Sequence, residues 1–271
     1  MFDKIVWITG MPRSGTSWLA QIFASSPDVR LKLCPLFSYE FKNEMSQSST
    51  PTEWKSFFKN VYTTPSDYMD QNYLRKDGIV PHFEQKSQTP SFLTIKSTRQ
   101  HQLTETILEK CPEVTFVAIV RHPCACIHSW LTNPHEFPKS ASKSTEWRTG
   151  ACRKDGLGEY WGFDDWKEVT RHHLALAQRF PDRFFLIRYE SLVKQAFKIT
   201  SDLFSSLGIN FTPQTEEFLT ESQSTHCQHA RSVYKSPFVS ERWKNELTPE
   251  IANTILSEIK GTDLEQFAEN V

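Results

Sequence analysis

Gly10 and Gly15 bracket Met11-Pro12-Arg13-Ser14, and Thr16 and Ser17 follow directly. Two glycines, three hydroxyls and one guanidinium in so short a run are the parts of an anion cradle. Glycines let backbone N–H groups approach an oxyanion closely, hydroxyls donate to it, and arginine supplies a forked, permanent charge. The spacing Gly10-x4-Gly15 is that of a P-loop. A nucleotide hydrolase, however, carries lysine where this chain has Thr16, and the cation here stands inside the loop as Arg13. ATP and GTP sites use that lysine on the transferring phosphoryl group together with Mg²⁺, so a small-molecule P-loop kinase is the weaker of two enzymatic readings. A non-catalytic nucleotide sensor is a third.

A second place for an anion follows a later apolar run, Val114–Val120, where Arg121 is succeeded eight residues on by Ser129. Two separated anion sites in one chain fit a nucleotide bearing two phosphate-like groups. For proton transfer and charge stabilisation the candidates are Lys96 at the end of another apolar run, Glu40, His101 and Glu84. The run His226-Cys227-Gln228-His229 is poorly spaced for a closed tetrahedral metal site, and no metal is expected. Arg231, Lys235 and Arg242 are tail cations that could meet a phosphate or an anionic acceptor. Trp147, Trp161 and Trp166 flank a polar stretch and offer flat faces to a sugar or base.

These residues need a scaffold of alternating strands and helices. Ile5–Ile8 reads as a buried strand, with a helix from Thr16 to Ser25 whose apolar face holds Trp18, Leu19, Ile22 and Phe23. Val29–Leu33, Ser91–Ile95, Val114–Val120 and Arg183–Arg188 are further strands; the unbroken apolar run of Val114–Val120 marks a parallel strand covered on both faces. Helices are expected at Pro51–Val61, His101–Cys111, Cys124–Leu131 with Pro123 at its first turn, Gly162–Phe180, Leu192–Leu207 and Thr248–Lys260. Residues 36–90 read as helices and loops over the mouth of the sheet, and Asn133–Gly158 as a long active-site loop or lid. The pattern is that of an α/β fold with a doubly wound parallel sheet, in one domain spanning 1–271.

Composition limits the partners. Thirty-one basic and 32 acidic side chains leave a net charge of −1, which argues against a nucleic-acid binder. The start MFDKIVWITG enters the first strand without a basic, apolar leader, and no run reaches the roughly 18–20 apolar residues of a membrane span. Six cysteines at 34, 111, 124, 126, 152 and 227 form no CxxC pair, so thiols in a reducing cytoplasm are expected.

Two segments carry a resemblance. PRSGTSW after the first strand and VAIVRHPCACIHSW around Arg121 resemble the two signature segments of the sulfotransferases that use 3′-phosphoadenosine 5′-phosphosulfate (PAPS). Arg188-Tyr189-Glu190-Ser191-Leu192 resembles that family's strand-end segment, and Ser236–Pro249, with Arg242-Trp243, its late nucleotide-side segment. The resemblance implies a P-loop-like α/β fold with insertions over the cleft, and PAPS as co-substrate. It implies that Arg13, Ser14, Gly15, Thr16 and Ser17, closed by Trp18, hold the 5′-phosphosulfate and that Arg121 and Ser129 hold the 3′-phosphate. Tyr189, Lys235 and Arg242 are implied at the nucleotide side.

PRSGT is closer to the bacterial and carbohydrate branch than to the small-molecule branch with PKSGT, which implies a saccharide or glycoconjugate hydroxyl as acceptor. Two positions depart from the family. Cys34 stands where the carbohydrate branch has Glu, and Thr98 where small-molecule members have a catalytic His. Lys96, Glu40, His101 and Arg13 are therefore the residues expected to carry the chemistry, with Lys96 on the bridging oxygen and Glu40 or His101 as base.

Overall fold

The computed structural model describes residues 2–234 and 241–269. Five parallel strands form its sheet: β1 (Lys4–Thr9), β2 (Val29–Leu33), β3 (Phe92–Lys96), β4 (Val114–Val120) and β5 (Phe184–Arg188), in the order β2-β3-β1-β4-β5. β1 is central. Ile8 lies beside Lys96 on β3 and beside Val117 on β4, so the segments that leave these three strands emerge together. The chain runs from β1 to one side for β2 and β3, and to the other for β4 and β5. That reversal opens a crevice at the carboxyl ends, where such sheets hold ligands.

Alternation along the strands divides the core into two layers. Val6, Ile8, Val117, Ile119 and Ile187 face one side. There they meet α1 (Thr16–Ser25), and the same layer takes in Leu74 from the short α3 (Asn72–Lys76) and the apolar sides of α8 (Tyr189–Lys194), α9 (Ala196–Leu207) and α10 (Pro213–Ser224). Ile5, Trp7, Leu93, Ile95, Phe116, Ala118 and Phe184 face the other. There they pack with α2 (Pro51–Thr63), α4 (Thr104–Lys110) and part of α7 (Gly162–Arg179). A third cluster joins α5 (Pro123–Leu131), α6 (Lys143–Thr149), α7, α12 (Pro249–Ile259) and Trp243 of the one-turn α11 (Trp243–Glu246).

Four elements differ from the sequence reading. α2 begins with a Thr50/Glu53 capping box and buries Trp54, Phe57 and Phe58 against the sheet face; it does not roof the cleft. The segment read as one long loop contains α6, whose Trp147 is buried against Phe163. The helix expected at Leu192–Leu207 starts at Tyr189 and breaks at Gln195. α10 is a helix that the sequence pattern does not announce. Thr212 caps it through the amide of Thr215, and Phe218 and Leu219 bury its apolar side. No helix among the described residues is long and apolar enough to cross a membrane.

Candidate active site

A cavity of about 380 Å³ opens at the carboxyl ends of β1, β3 and β4. Pro12, Arg13 and Gly15–Trp18 form one wall, Leu33, Cys34 and Phe37 another, and Lys96, Arg99, Arg121 and Ser129 line it between them. Six cations reach it (Arg13, Lys96, Arg99, Arg121, Arg153 and Arg231) against one carboxylate, Glu136. Arg99 is partly neutralised by its ion pair with Glu159. Lys96, Arg121, Arg153 and Arg231 enter no ion pair among the described residues. A concave surface with this excess of positive charge fits a polyanion.

The loop after β1 is held in a conformation that most side chains resist. Gly10 has φ +153° and Gly15 φ +99°; Arg13 itself lies at φ +71°. A Cβ on Gly10 would meet the Ile119 carbonyl oxygen at 2.5 Å. One on Gly15 would collide with the ring of Tyr189. The turn is pinned by Ser14, whose amide and hydroxyl both donate to the Met11 carbonyl (3.2 and 2.6 Å). α1 therefore starts with no side-chain cap and no acid in its first turn, while Thr16, Ser17 and Trp18 face the cavity. Its first amides are left for a ligand anion, favoured by the helix dipole.

The β4–α5 turn docks onto this loop. Arg121, at the end of β4, is 7% exposed and donates from Nη1 to the Arg13 carbonyl (3.1 Å), while its Nε is buried without a partner. The Cys126 thiol donates to the Pro12 carbonyl at 3.1 Å. Ser129 Oγ accepts from Arg13 Nε (3.1 Å), and Arg13 Nη2 donates to the Ala230 carbonyl (3.3 Å). The two candidate anion sites, separate in the sequence, thus share one wall.

Tyr189 and Glu190 build the support behind it. The Arg121 guanidinium lies 4.6 Å from the centre of the Tyr189 ring, the same ring that closes on Gly15. The Glu190 carboxylate accepts from the His122 amide (2.9 Å), fixing the residue next to Arg121. His122 caps α5 through Cys124 N and stacks on Trp243 at 4.4 Å. Its pKa falls to about 4, through burial first and the adjacent Arg121 second, so it stays neutral beside the cation. Trp18 lines the cavity with its indole N–H donated to Ser222 Oγ on α10 (2.9 Å). Of the three tryptophans expected to offer a face to a sugar or base, Trp161 lines the cavity, and Trp147 and Trp166 pack in the core.

Two residues expected as bases are corrected by their positions. Glu40 is exposed in the turns after β2 and lies outside the cavity. Slight burial works to raise its pKa, but hydrogen bonds from Ser66 and Ser38 and the Lys32 charge lower it overall. Glu40→Gln should leave turnover and nucleotide affinity within about two-fold of the parent, as surface changes away from a site do; steady-state kinetics check this. His101 does not line the cavity. It is 2% exposed, shares a hydrogen bond with Thr9 Oγ1 (3.1 Å) and meets His173 ring to ring at 5.4 Å. Arg242 is engaged by Glu246 (2.8 Å) at the protein surface and does not line the cavity. Lys235 lies outside the described residues. Lys96 keeps its expected place, buried at the end of β3 with its side chain lining the cavity.

The buried histidines are expected to make stability fall in acid. Burial lowers the pKa of His101 to about 3 and that of His173 well below the ordinary 6.5. The unfolded chain binds these protons at about pH 6.5 while the folded one refuses them. Their contribution is therefore complete above about pH 6.5 and is lost as pH falls below it, down to about pH 3 for His101. Thermal melting should show a plateau above about pH 7 and a steep fall below about pH 6, and His173→Phe should shallow that fall. An unchanged slope would mean that other groups set it.

The sulfotransferase family model matches residues 6–213. No curated protein matches the chain in sequence. Among solved structures, the sulfotransferase domain of the Synechococcus PCC 7002 olefin synthase superposes with a TM-score of 0.57 at 17% identity, covering 98% of this chain and 95% of that one. Mouse sulfotransferase SULT7A1 complexed with PAP gives 0.53 at 16% identity, covering 98% and 88%. Retinol dehydratase, in complex with androsterone and inactive cofactor PAP, gives 0.52 at 14%, covering 97% and 83%. At such identities the superpositions speak for the fold, a five-stranded parallel sheet flanked by helices with the P-loop-like arrangement. Since the family model spans the phosphate-type loop, Arg121 and Ser129, and the strand-end Tyr189, this chain belongs to the sulfotransferase family.

Proposed function

We propose that this chain moves the sulfuryl group of PAPS to an acceptor hydroxyl, most simply one on a saccharide or glycoconjugate, as a single sulfotransferase domain in the cytoplasm. The observation that carries the reading is the convergence of two anion sites in one cavity. The uncapped start of α1 with Arg13 takes the 5′-phosphosulfate, and Arg121 with Ser129 takes the 3′-phosphate. The unpartnered Nε of Arg121 fits such a ligand, because a buried guanidinium nitrogen left unpaired costs free energy that an incoming phosphate recovers. Complexes of SULT7A1 and of retinol dehydratase with PAP, on the same fold, support this choice of nucleotide.

PAPS supplies an activated sulfuryl group; the chain supplies placement and charge. Arg13 and the α1 amides neutralise the charge that develops on the leaving 5′-phosphate, and Lys96 stands at the strand end as a further cation for the bridging oxygen. The acceptor enters over Cys34, Phe37, Tyr68 and Gln71, where aromatic faces and an amide suit a polyhydroxylated ring. The test is a calorimetric titration with PAP and with ATP under the same conditions, followed by transfer from ³⁵S-labelled PAPS to an acceptor panel. PAP should bind and ATP should not compete with it. Binding of Mg-ATP in preference to PAP would favour the kinase reading and remove this one.

A further inference from the structure

The departures at Cys34 and Thr98, and the positions of Glu40 and His101, leave the cavity without the bases expected for it. The structure offers one carboxylate in their place. Glu136 is the only Asp or Glu among the described residues that line the cavity. Its Oε2 stands 3.6 Å from Nη1 of Arg13. The position is built. Asn133, buried at the end of α5, donates from Nδ2 to Glu136 Oε2 at 3.0 Å. The Asn133 carbonyl accepts the amides of Glu136 (3.1 Å) and Phe137 (2.9 Å), and Asn133 Oδ1 accepts that of His135 (2.9 Å). Phe137 then anchors the turn, edge-on against Trp130 at 5.3 Å. The carboxylate is therefore fixed by a side-chain amide, a closed turn and a buried ring.

Resting on the sulfotransferase reading, we propose that Glu136 is the general base of the transfer. Its carboxylate takes the proton of the acceptor hydroxyl as the acceptor oxygen forms its bond to sulfur. The bond from sulfur to the 5′-phosphate oxygen breaks, and its electron pair leaves with PAP. The carboxylic acid then returns the proton to solvent. The ion pair with Arg13 gives this an order. When Arg13 turns its fork to the phosphosulfate, it releases Glu136 toward the hydroxyl, so the nucleotide frees the base that the second substrate needs. The other titratable groups on this side of the cavity serve less well. Tyr68 is partly buried, and desolvation raises its phenol pKa strongly and keeps it protonated. His135 is exposed at the rim, its ring 5.8 Å from that of His229.

The test compares acceptors that need a base with one that does not. Water, assayed as slow hydrolysis of ³⁵S-labelled PAPS, must lose a proton; 4-nitrophenolate in mildly alkaline buffer has already lost it. Glu136→Gln should slow the hydrolysis at least 100-fold and change transfer to 4-nitrophenolate less than three-fold. PAP affinity should hold or rise. Formate should restore part of the hydrolysis in Glu136→Ala, and His135→Gln should retain it. If Glu136→Gln tightens PAP yet keeps the hydrolysis rate, Glu136 is only the resting counter-ion of Arg13 and the proposal falls. Equal loss with both acceptors overturns it as well. Failure of the parent protein to bind PAP at all would instead remove the sulfotransferase reading on which it rests.

Discussion

Replacing Arg121 by alanine is expected to weaken PAP binding by two to three orders of magnitude while leaving the chain folded. The side chain is almost fully buried, aimed into the cavity, and joins no ion pair among the described residues. Hydrogen bonds to a charged group are worth about 1.5–3 kcal/mol each. A guanidinium grips a phosphate with two, and each ~1.4 kcal/mol is tenfold in affinity. Arg121 also donates to the Arg13 carbonyl and stacks on Tyr189, so its loss loosens the neighbouring loop. Arg121→Lys separates these effects. It keeps the charge but loses the fork and the flat contact with Tyr189, and should recover only a small part of the affinity. Titration of both variants with PAP, alongside circular dichroism to confirm folding, decides the matter. Unchanged affinity in Arg121→Ala would take the 3′-phosphate away from this residue.

Gly15→Ala is expected to damage both the fold and nucleotide binding through a single methyl group. At φ +99° an L-residue is strained, at a cost of about 1–3 kcal/mol. The added Cβ also drives into the Tyr189 ring, which cannot simply retreat because the Arg121 guanidinium lies against it. The loop must then open, and the amides of Thr16, Ser17 and Trp18 lose their aim. A loss of at least 100-fold in PAP affinity should accompany a drop in melting temperature of about 4–10 °C, given about 2–4 °C per kcal/mol in a protein of this size. Gly78→Ala is the control. Gly78 also has a positive φ, of +64°, but a Cβ there meets nothing within 4 Å, so it should show strain alone, with nucleotide binding intact. Equal PAP affinity in Gly15→Ala and the parent would show that the loop does not cradle the phosphosulfate.

These two positions also show how far residue order alone reaches. Arg121 and Gly15 are legible in it because each belongs to a local pattern: a strand, a turn and a helix within about 15 residues. In such a unit the backbone geometry follows from residue type, and the chemistry follows from the geometry. The five strands are legible for the same reason. α10 is not. Its apolar residues are few, and although Thr212 caps it locally, its burial comes from packing onto a distant part of the chain. Glu40 and His101 lie outside the cavity, because proximity to a strand end in sequence does not say which way the chain bends next. His101 is buried against Thr9 and His173, and Glu40 is exposed to solvent.

Sequence by itself determined the parallel α/β class, and it pointed to the proposed anion cradle after β1 with its cation and to the proposed second anion site at Arg121 and Ser129. All of these are encoded in the residue types of short runs. Tertiary structure alone decided that the two sites share one wall, through Arg121 to the Arg13 carbonyl and Arg13 to Ser129. It decided that Tyr189 closes on Gly15, and that a carboxylate 123 positions further along the chain stands beside Arg13. Contacts between residues so far apart depend on the crossover connections and on how each helix lies on the sheet. Those follow from the burial of the whole core, which no local pattern contains.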